Sequence, residues 1–512
     1  MKIMITKRYL TKPSVYFLAA ATLITATTCL FLSCAGGRNL SEHSKKDTTA
    51  SALAAHPSEI VFDSLDWKVP LGDAYRVRLT NGPIAYVAVD SSLPLVNIEA
   101  FVRSGSLTSD PDGKEGLGAL MSRLMRTGGA GQYHADSLDA LIDLLAMRFS
   151  FAQTESNITF QAAFLSEYTD TALYIMKQMF FSPAFQPEKL ERERSIMLEG
   201  ISHRFVNPGP TLGVAYRKHA YPKYAPAKLT TEASLKSISR NDIIALHKAA
   251  FGTSEIILSV SGKFDRNDMI AKLNAVFSAP LAPKSVPLPE IAVAPQTRAL
   301  VVHKDISQAY VRMGLPLFMR PHPDYYAVSL LNYILGGSGF TSRLGSRVRS
   351  DEGLTYSISS TAESNYTYQG TMHINFFTKT ESYPKAISII LEELDKVIKD
   401  GVTAEELENA RTALIAELPS SFRSPEDIVS TYAWNEFYGR APDHYAKYPD
   451  ELKKLTTEDL KNAAVKYIDV NKITYTIVGD TTAINAAAAS GFFVLDSLKS
   501  KITVTVDSLV LF

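Results

Sequence analysis

The chain has 512 residues, of which 46% are hydrophobic, so it can bury substantial cores and is long enough for more than one domain. Its 53 Lys and Arg residues balance its 53 Asp and Glu residues, which excludes a net field that would draw it to nucleic acid or an anionic membrane. Both cysteines, Cys29 and Cys34, lie near the N-terminus, so the folded body holds neither a disulfide nor a cysteine-ligated metal.

The N-terminus has the order of a secretory signal, with basic residues ahead of the apolar run VYFLAAATLITATTCLFLSC. The end of this run resembles a bacterial lipobox, with Ser33 before Cys34. This pattern predicts a lipoprotein signal peptide over 1–33, lipidation of Cys34, and a polar tether over 34–60. The protein would then be lipid-anchored in the bacterial cell envelope, facing the periplasm. The alternative is an uncleaved membrane anchor, which also leaves the folded body outside the cytoplasm.

The stretch KEGLGALMSRLMRTGG, Lys114 to Gly129, predicts an amphipathic helix. At 100° per residue, one side carries an apolar stripe and the opposite side carries small and basic residues. The stripe consists of Leu117, Leu120, Met121, Leu124 and Met125, and the opposite side of Ala119, Ser122, Arg123 and Arg126. The second face therefore contains no imidazole and no carboxylate.

The chain contains an internal repeat. SLKSISRNDIIALHKAAFGTSEIILSVSGKFD aligns without gaps to ELKKLTTEDLKNAAVKYIDVNKITYTIVGDTT, so that Asp242 pairs with Asp459 and Gly262 with Gly479. In each copy, a helix that starts after Ser or Thr leads into a strand that ends in Gly. The alternation of strand runs and helices predicts an α+β fold made by tandem duplication, with antiparallel sheets covered by helices.

The repeat places two similar domains in the chain, over 61–277 and 299–480. Between them, 278–298 carries five prolines, which is typical of an extended linker. The last segment, 481–512, is left as a C-terminal tail.

The second half contains the segment LGGSGFTSRLGSRVRSDEGLTYSIS, with a glycine-rich loop over 336–339 (Gly336, Gly337, Ser338 and Gly339). Arg349 and Tyr356 follow, seven residues apart. Gly353 should end the helix and the next residues alternate like a strand, so the arginine lies on a last helical turn and the tyrosine on a strand. A guanidinium can hold a carbonyl or carboxylate, and a phenol can donate to an oxyanion. Structural roles at a helix end and on a sheet face are the alternative.

These features resemble the pitrilysin, insulinase and mitochondrial processing peptidase family of zinc peptidases, over about residues 70–480. In that family the opening helix carries an inverted zinc motif, His-x-x-Glu-His, and a Glu about 75 residues later completes the site. The motif positions fall here on Ala119, Ser122 and Arg123, and the later ligand on Gly200, or on Glu199 with a one-residue shift. The resemblance therefore implies that this chain binds no zinc.

The same resemblance implies a division of labour between two chains. A homologous catalytic subunit would supply an intact His-x-x-Glu-His motif and the zinc, and this chain would supply Arg349 and Tyr356 from its half of a closed clamshell that admits peptides. It would then be a non-catalytic, substrate-binding subunit of a heterodimeric metallopeptidase. The alternative is an inert scaffold, like the respiratory-complex core subunits of the same family. An independent hydrolase with an unrecognised site is a third possibility.

Overall fold

The computed structural model describes residues 67–222, 224–278, 288–294, 298–489, 492–493 and 501–510, together with His56. The predicted signal peptide, the tether and Cys34 lie outside these residues. Trp67–Phe512 forms one compact unit. Within the described ranges, no helix is long and apolar enough to cross a membrane.

The first half contains a six-stranded sheet in the order β1-β2-β6-β3-β5-β4. Its central strand β6 is buried along its whole length, whereas the edge strand β4 alternates between exposed and buried residues. The strands are β1 Arg76–Arg78, β2 Ile84–Val89, β3 Leu95–Val102, β4 Arg148–Gln153, β5 Ile158–Leu165 and β6 Ile256–Gly262.

Nine α-helices belong to the described part of the first half. Several of them cover one face of the first sheet and enclose a large apolar core. They are α1 Ser106–Ser109, α2 Leu117–Thr127, α3 Ala135–Leu144, α4 Thr169–Phe181, α5 Pro187–Ser202, α6 Pro208–Ala220, α7 Glu232–Ser237, α8 Arg240–Thr253 and α9 Arg266–Val276.

The second half repeats this sheet, in the order β12-β7-β11-β8-β10-β9. Five neighbouring strands of the first sheet, β2-β6-β3-β5-β4, therefore correspond in order to β7-β11-β8-β10-β9 of the second sheet. This correspondence confirms the α+β duplication. The strands are β7 Arg298–His303, β8 Gln308–Pro316, β9 Thr355–Glu363, β10 Thr371–Lys379, β11 Thr474–Gly479 and β12 Lys501–Thr505. The sheets are mixed rather than wholly antiparallel, because β2–β6, β7–β11 and β7–β12 run parallel.

A second large core lies between this sheet and its own helices. Two π-helical turns lie near the glycine-rich loop: Tyr333–Gly337 includes its first two residues, and Gly345–Asp351 follows it. The α-helices are α10 Tyr325–Asn332, α11 Tyr383–Asp400, α12 Ala404–Glu417, α13 Pro425–Tyr438, α14 His444–Lys454, α15 Thr457–Tyr467 and α16 Thr481–Ala488.

The repeated helix starts have the same chemistry. Ser239 caps α8 and Thr456 caps α15, and in each case the side chain of the third helical residue, Asp242 or Asp459, hydrogen-bonds back to the cap. Such capping boxes satisfy backbone donors that a helix start leaves free. The aligned residues of the two repeats thus fix two equivalent helices.

The halves exchange helices. α13 of the second half packs on β2 and β6 of the first sheet, and Val429, Tyr432 and Phe437 join Tyr86 and Phe101 in one apolar cluster. Each sheet therefore has one face covered by a helix from the other half, and burial of both apolar surfaces ties the halves together.

The reciprocal contact is made by α6 of the first half, which packs on β7, β8 and β11. Leu212 and Ala215 of this helix are buried against Leu300 and Val478 of the second sheet.

The ends of the predicted domains also take part in the fold. Ile291 and Val293, in the proline-rich segment, are buried in a small cluster with Tyr221 and Tyr368. The segment set apart as a tail supplies α16 and the edge strand β12, and Leu509 is fully buried. The described residues of both segments therefore pack into the fold.

Candidate functional site

The helix that carries the degenerate zinc motif is α2, which packs against β4, α5 and α8. The apolar stripe is buried as predicted, with Leu120, Met121 and Leu124 fully enclosed. Ser122, expected on the opposite face, is also buried, at 1% exposure, because α5 covers the helix from a second side. Its hydroxyl has no hydrogen-bond partner within the described structure.

Arg123, which the sequence resemblance aligns with one histidine of the motif, forms an ion pair with Glu193 of α5, with Nε and Oε2 2.7 Å apart. Glu193 is only 4% exposed, whereas the Arg123 side chain reaches solvent. A buried carboxylate needs a partner, and here that partner is a guanidinium. One turn later on α2, Arg126 pairs in the same way with the more exposed Asp139.

The remaining motif positions offer at most one ligand, the Glu199 carboxylate. Ala119 is half-buried, and Gly200 lies at the exposed end of α5, where an added Cβ would meet no atom within 4 Å. Glu199 beside it is exposed. Among the residues that the structure describes, no group of three or more His, Cys, Asp or Glu side chains could hold a metal ion. The described site therefore consists of an arginine–glutamate pair, not of zinc ligands.

In the second half, Arg349 and Tyr356 lie together, on the last turn of a π-helical segment and on strand β9. The reversal between them occurs at Gly353, whose φ of 62° is a left-handed conformation that glycine tolerates best. The Arg349 guanidinium carbon lies 4.8 Å from the centre of the Tyr356 ring. The predicted order of helix end, glycine and strand thus brings the two side chains into contact.

A third residue completes this arrangement. The Phe340 ring lies on the Arg349 guanidinium, with 3.7 Å from ring centre to guanidinium carbon. We call Phe340, Arg349 and Tyr356 the arginine–tyrosine cluster. Phe340 and Tyr356 are 64% and 77% exposed, so two aromatic rings hold the charge at the surface. Phe340 was missed in the sequence, although an aromatic residue directly after a glycine-rich loop was an available signal.

Arg349 differs from its neighbours in having no carboxylate partner within the described chain. Arg343 forms a bidentate pair with Glu406, at 2.6 and 2.7 Å. Arg347 lies within 4 Å of Glu352 and Glu393. The Arg349 guanidinium can therefore donate hydrogen bonds to an external carboxylate or carbonyl without losing an internal carboxylate partner.

The glycine-rich loop divides into a packed part and an exposed part. A side chain at Gly336 would clash with Ser360 of β9, since an added Cβ lies 2.6 Å from its backbone nitrogen. Gly337 and Gly339 are exposed, and Gly339 has a φ of 65°. Ser338 is half-buried, and its backbone N–H donates to the Tyr333 carbonyl. Packing thus explains Gly336 and also limits Gly337, where an added Cβ would lie 2.9 Å from the Asn332 side-chain nitrogen, whereas an added Cβ at Gly339 would meet no atom within 4 Å.

His219 and His247 are buried, and each contacts a neutral oxygen atom. His247 contacts the Phe180 carbonyl through Nε2 at 2.9 Å, and burial lowers its pKa. His219 contacts the Thr476 hydroxyl through Nδ1 at 3.2 Å. Burial and the nearby Arg298 lower the pKa of His219 to about 3. Both imidazoles are therefore neutral core residues near pH 7.

Comparisons with known proteins identify the family of the chain. The family profile described as "Insulinase (Peptidase family M16)" matches residues 86–212, and that described as "Peptidase M16 inactive domain" matches residues 237–414. Together the two ranges cover more than half of the chain.

Among curated relatives, the "Non-peptidase homolog YmxG" of Helicobacter pylori is 22% identical over 393 residues, covering 76% of this chain and 90% of that protein. The "Uncharacterized zinc protease YmxG" of Bacillus subtilis is 26% identical over 281 residues, which cover 54% of this chain and 67% of that protein.

Among solved structures, the peptidase M16 inactive domain from Pseudomonas fluorescens matches with a TM-score of 0.69 and 24% identity, covering 79% of this chain and 98% of that one. A chain of Complex III2 from Candida albicans matches with a TM-score of 0.64 and 15% identity, covering 79% and 95%. These likenesses concern the fold. The chain therefore belongs to the M16, or insulinase, peptidase family, and its residues 237–414 match the profile of that family's inactive domain.

Proposed function

We propose that this chain is the non-catalytic, substrate-binding subunit of a heterodimeric zinc metallopeptidase that degrades or processes peptides. Its partner is a homologous chain with an intact His-x-x-Glu-His motif, which holds the zinc and activates water. This chain contributes Arg349 and Tyr356 to the partner's active site and binds no metal itself.

The observation that carries the proposal is the arginine–tyrosine cluster, in which two exposed aromatic rings hold a half-buried arginine that has no carboxylate partner in the described chain. Arg349 lacks an internal carboxylate, and the Tyr356 hydroxyl forms no hydrogen bond with any described residue. Beside a reacting peptide, these two groups would have distinct roles in binding and catalysis. Arg349 would bind a carbonyl or carboxylate of the substrate, and Tyr356 would donate to the oxyanion that develops during hydrolysis.

The first half supports the same division of labour. If Arg123 occupies the histidine position that the resemblance gives it, its positive charge would oppose a divalent cation there, and the ion pair satisfies the Glu193 carboxylate, which would otherwise be buried alone. On this proposal, catalysis requires a second subunit that supplies the zinc. The arginine–tyrosine cluster in the second half would contribute Arg349 and Tyr356 to the active site of that subunit.

The complex would lie outside the cytoplasm, anchored in the cell envelope through a lipid on Cys34. This part of the proposal rests on the sequence of the N-terminus alone. A lipid anchor on one subunit would hold both at the membrane, where peptides that enter the envelope could be captured.

Reconstitution tests the proposal. A homologous chain with an intact zinc motif, encoded in the same genome, is purified alone and together with this chain. We expect this chain alone to contain no stoichiometric zinc and to cleave no peptide, the pair to form a stable complex with one zinc, and peptide cleavage to require both. One tightly held zinc on this chain alone, or full activity of the partner alone, would contradict the proposal.

The second candidate function is that of an inert scaffold. The fold likeness to a chain of Complex III2 and the relative named a non-peptidase homolog favour this class. A scaffold has no use for a half-buried arginine without a carboxylate partner beside a tyrosine hydroxyl that makes no hydrogen bond with any described residue. A complex that assembles with a partner but whose activity is unaffected by loss of both side chains would favour the scaffold.

A further inference from the structure

A separate cavity of about 350 Å³ lies beside the first turn of α10. Its lining includes no residue of the arginine–glutamate pair or of the arginine–tyrosine cluster. It is built where the loop before α10, the loop between β9 and β10, and the segment after α13 meet. We call it the arginine pocket. Its walls include Arg320, Tyr325, Tyr326, Tyr366, Arg440 and His444.

The two arginines of the pocket are held by aromatic rings. The Arg320 guanidinium lies between Tyr325 and Tyr366, at 4.4 and 4.3 Å from the ring centres. Arg440 lies 4.8 Å from the same Tyr366 ring, and its Nε donates to the Tyr366 hydroxyl at 2.7 Å. One tyrosine thus contacts two positive charges, which fixes both guanidiniums at the cavity wall.

Neither guanidinium is neutralised from within the described chain. Arg320 donates to the Ser364 carbonyl, and Arg440 donates to the side-chain oxygens of Asn435 and Tyr445. All of these acceptors are uncharged. Two like charges in one cavity repel each other, and this cost is recovered when an anion binds between them.

The nearby carboxylates already have other partners. Asp324 accepts from Lys466 and Tyr467, and Asp443 pairs with Lys447. His444 adds no charge, because burial and the two arginines lower its pKa to about 4. The pocket therefore presents two cations, aromatic walls and the imidazoles of His322 and His444, of which that of His444 is neutral near pH 7.

From this arrangement we propose that the arginine pocket binds a carboxylate carried on an apolar or aromatic body of about the size of one amino-acid residue. Planar guanidinium forks match a carboxylate, and the tyrosine rings supply a face for the body of the ligand. The cavity lies at the lower end of the range typical of small-molecule sites. No lysine lines it, and both charges come from forked donors. The inference does not depend on the proposed peptidase function.

Calorimetric titration of the purified chain tests this site with three probes of similar shape. They are N-acetyl-L-phenylalanine, its neutral methyl amide, and phenyl phosphate. We expect N-acetyl-L-phenylalanine to bind with a dissociation constant of about 0.1 to 1 mM, and the amide to bind at least about tenfold more weakly. This comparison uses the unaltered protein, so it does not depend on the folding of a variant.

Variants then locate the bound carboxylate. Arg320→Gln and Arg440→Gln should each weaken binding about tenfold or more, and Arg440→Lys should restore only part of it, because lysine keeps the charge but loses the fork. Arg423→Gln is the matched control, since it removes the same charge from an exposed arginine outside the pocket. Thermal unfolding of each variant checks that the fold is retained.

Equal binding of the acid and the amide would overturn the proposal, as would acid binding that Arg320→Gln and Arg440→Gln leave unchanged. Tighter binding of phenyl phosphate than of the carboxylate would also overturn it, in favour of a phosphate site. If Arg423→Gln weakened binding as much as Arg440→Gln does, the effect would come from the net charge of the protein. That result would also contradict a specific carboxylate site in the pocket.

Discussion

The Arg123–Glu193 pair gives a prediction that can be worked from the structure. Replacing Arg123 by Met keeps much of the side chain's length but removes the charge that lies 2.7 Å from the Glu193 carboxylate. Glu193 is 4% exposed, so the variant leaves a nearly buried carboxylate with no cation beside it. We expect this substitution to destabilise the fold.

The magnitude lies between two limits. Removing one partner of a fully buried ion pair costs about 3–5 kcal/mol, whereas an exposed pair is worth about 0–1 kcal/mol. The Arg123 side chain is 42% exposed, so water can partly solvate the pair, and we expect Arg123→Met to cost about 2 kcal/mol. Glu193→Gln should cost less, about 1 kcal/mol, because the remaining arginine can turn to solvent.

Urea unfolding at pH 7 of both single variants and the double variant measures the coupling. We expect a coupling energy of about 1 kcal/mol or more. Arg126→Met is the matched control on the same helix, because its partner Asp139 is more exposed and should tolerate the loss. Additive effects within about 0.3 kcal/mol, or equal costs for Arg123→Met and Arg126→Met, would refute the account of a metal position replaced by a structural ion pair.

Three further predictions follow from the zinc motif, the N-terminus and a buried histidine. The triple variant Ala119→His, Ser122→Glu and Arg123→His should bind zinc only weakly by metal analysis. Adding Gly200→Glu should tighten zinc binding, because it supplies a further ligand at a position where an added Cβ meets no atom; equal zinc affinities would contradict this. Cys34→Ala should abolish lipid attachment and leave an uncleaved precursor, and unchanged acylation would refute the lipobox assignment. Because the pKa of His219 is lowered to about 3 from 6.5, unfolding takes up a proton below pH 6.5, and stability is lost progressively between pH 6.5 and 3. At pH 5 this loss amounts to about 2 kcal/mol, so His219→Gln should flatten the pH dependence of the urea midpoint, and an unchanged slope would contradict it.

Much of the fold could be predicted because the two repeats keep the same local signals. The caps Ser239 and Thr456, with Asp242 and Asp459 three residues on, identify the same helix in both halves, and Gly262 and Gly479 end the strands that follow. Hydrophobic period and capping are local properties, so they can be read from adjacent residues.

The exchange of α6 and α13 between the sheets could not be predicted in this way. Both helices are apolar enough to pack on a sheet, but their sequence does not say which sheet is within reach. The parallel pairing of β2 with β6, and of β7 with β11, is also set by long-range topology.

The candidate site was predictable where its residues are close in sequence. Arg349, Gly353 and Tyr356 lie within one helix–strand connection, so their order alone implied contact. Glu193 lies 70 residues from Arg123, and nothing in either local pattern links them. The burial of Ser122 likewise depends on α5, which a helical wheel of α2 does not include.

Peptide cleavage by the reconstituted complex, with the partner at saturation, tests the central claim most directly. Tyr356→Phe keeps the ring that stacks on Arg349 but removes the hydroxyl, so we predict about a 100-fold lower kcat with unchanged partner affinity. Arg349→Ala should mainly raise KM, because it removes a contact made before the chemical step. Tyr174→Phe, at an exposed tyrosine of α4, is the matched control and should have no effect. Full activity of both Tyr356→Phe and Arg349→Ala would contradict the claim that this chain completes its partner's active site.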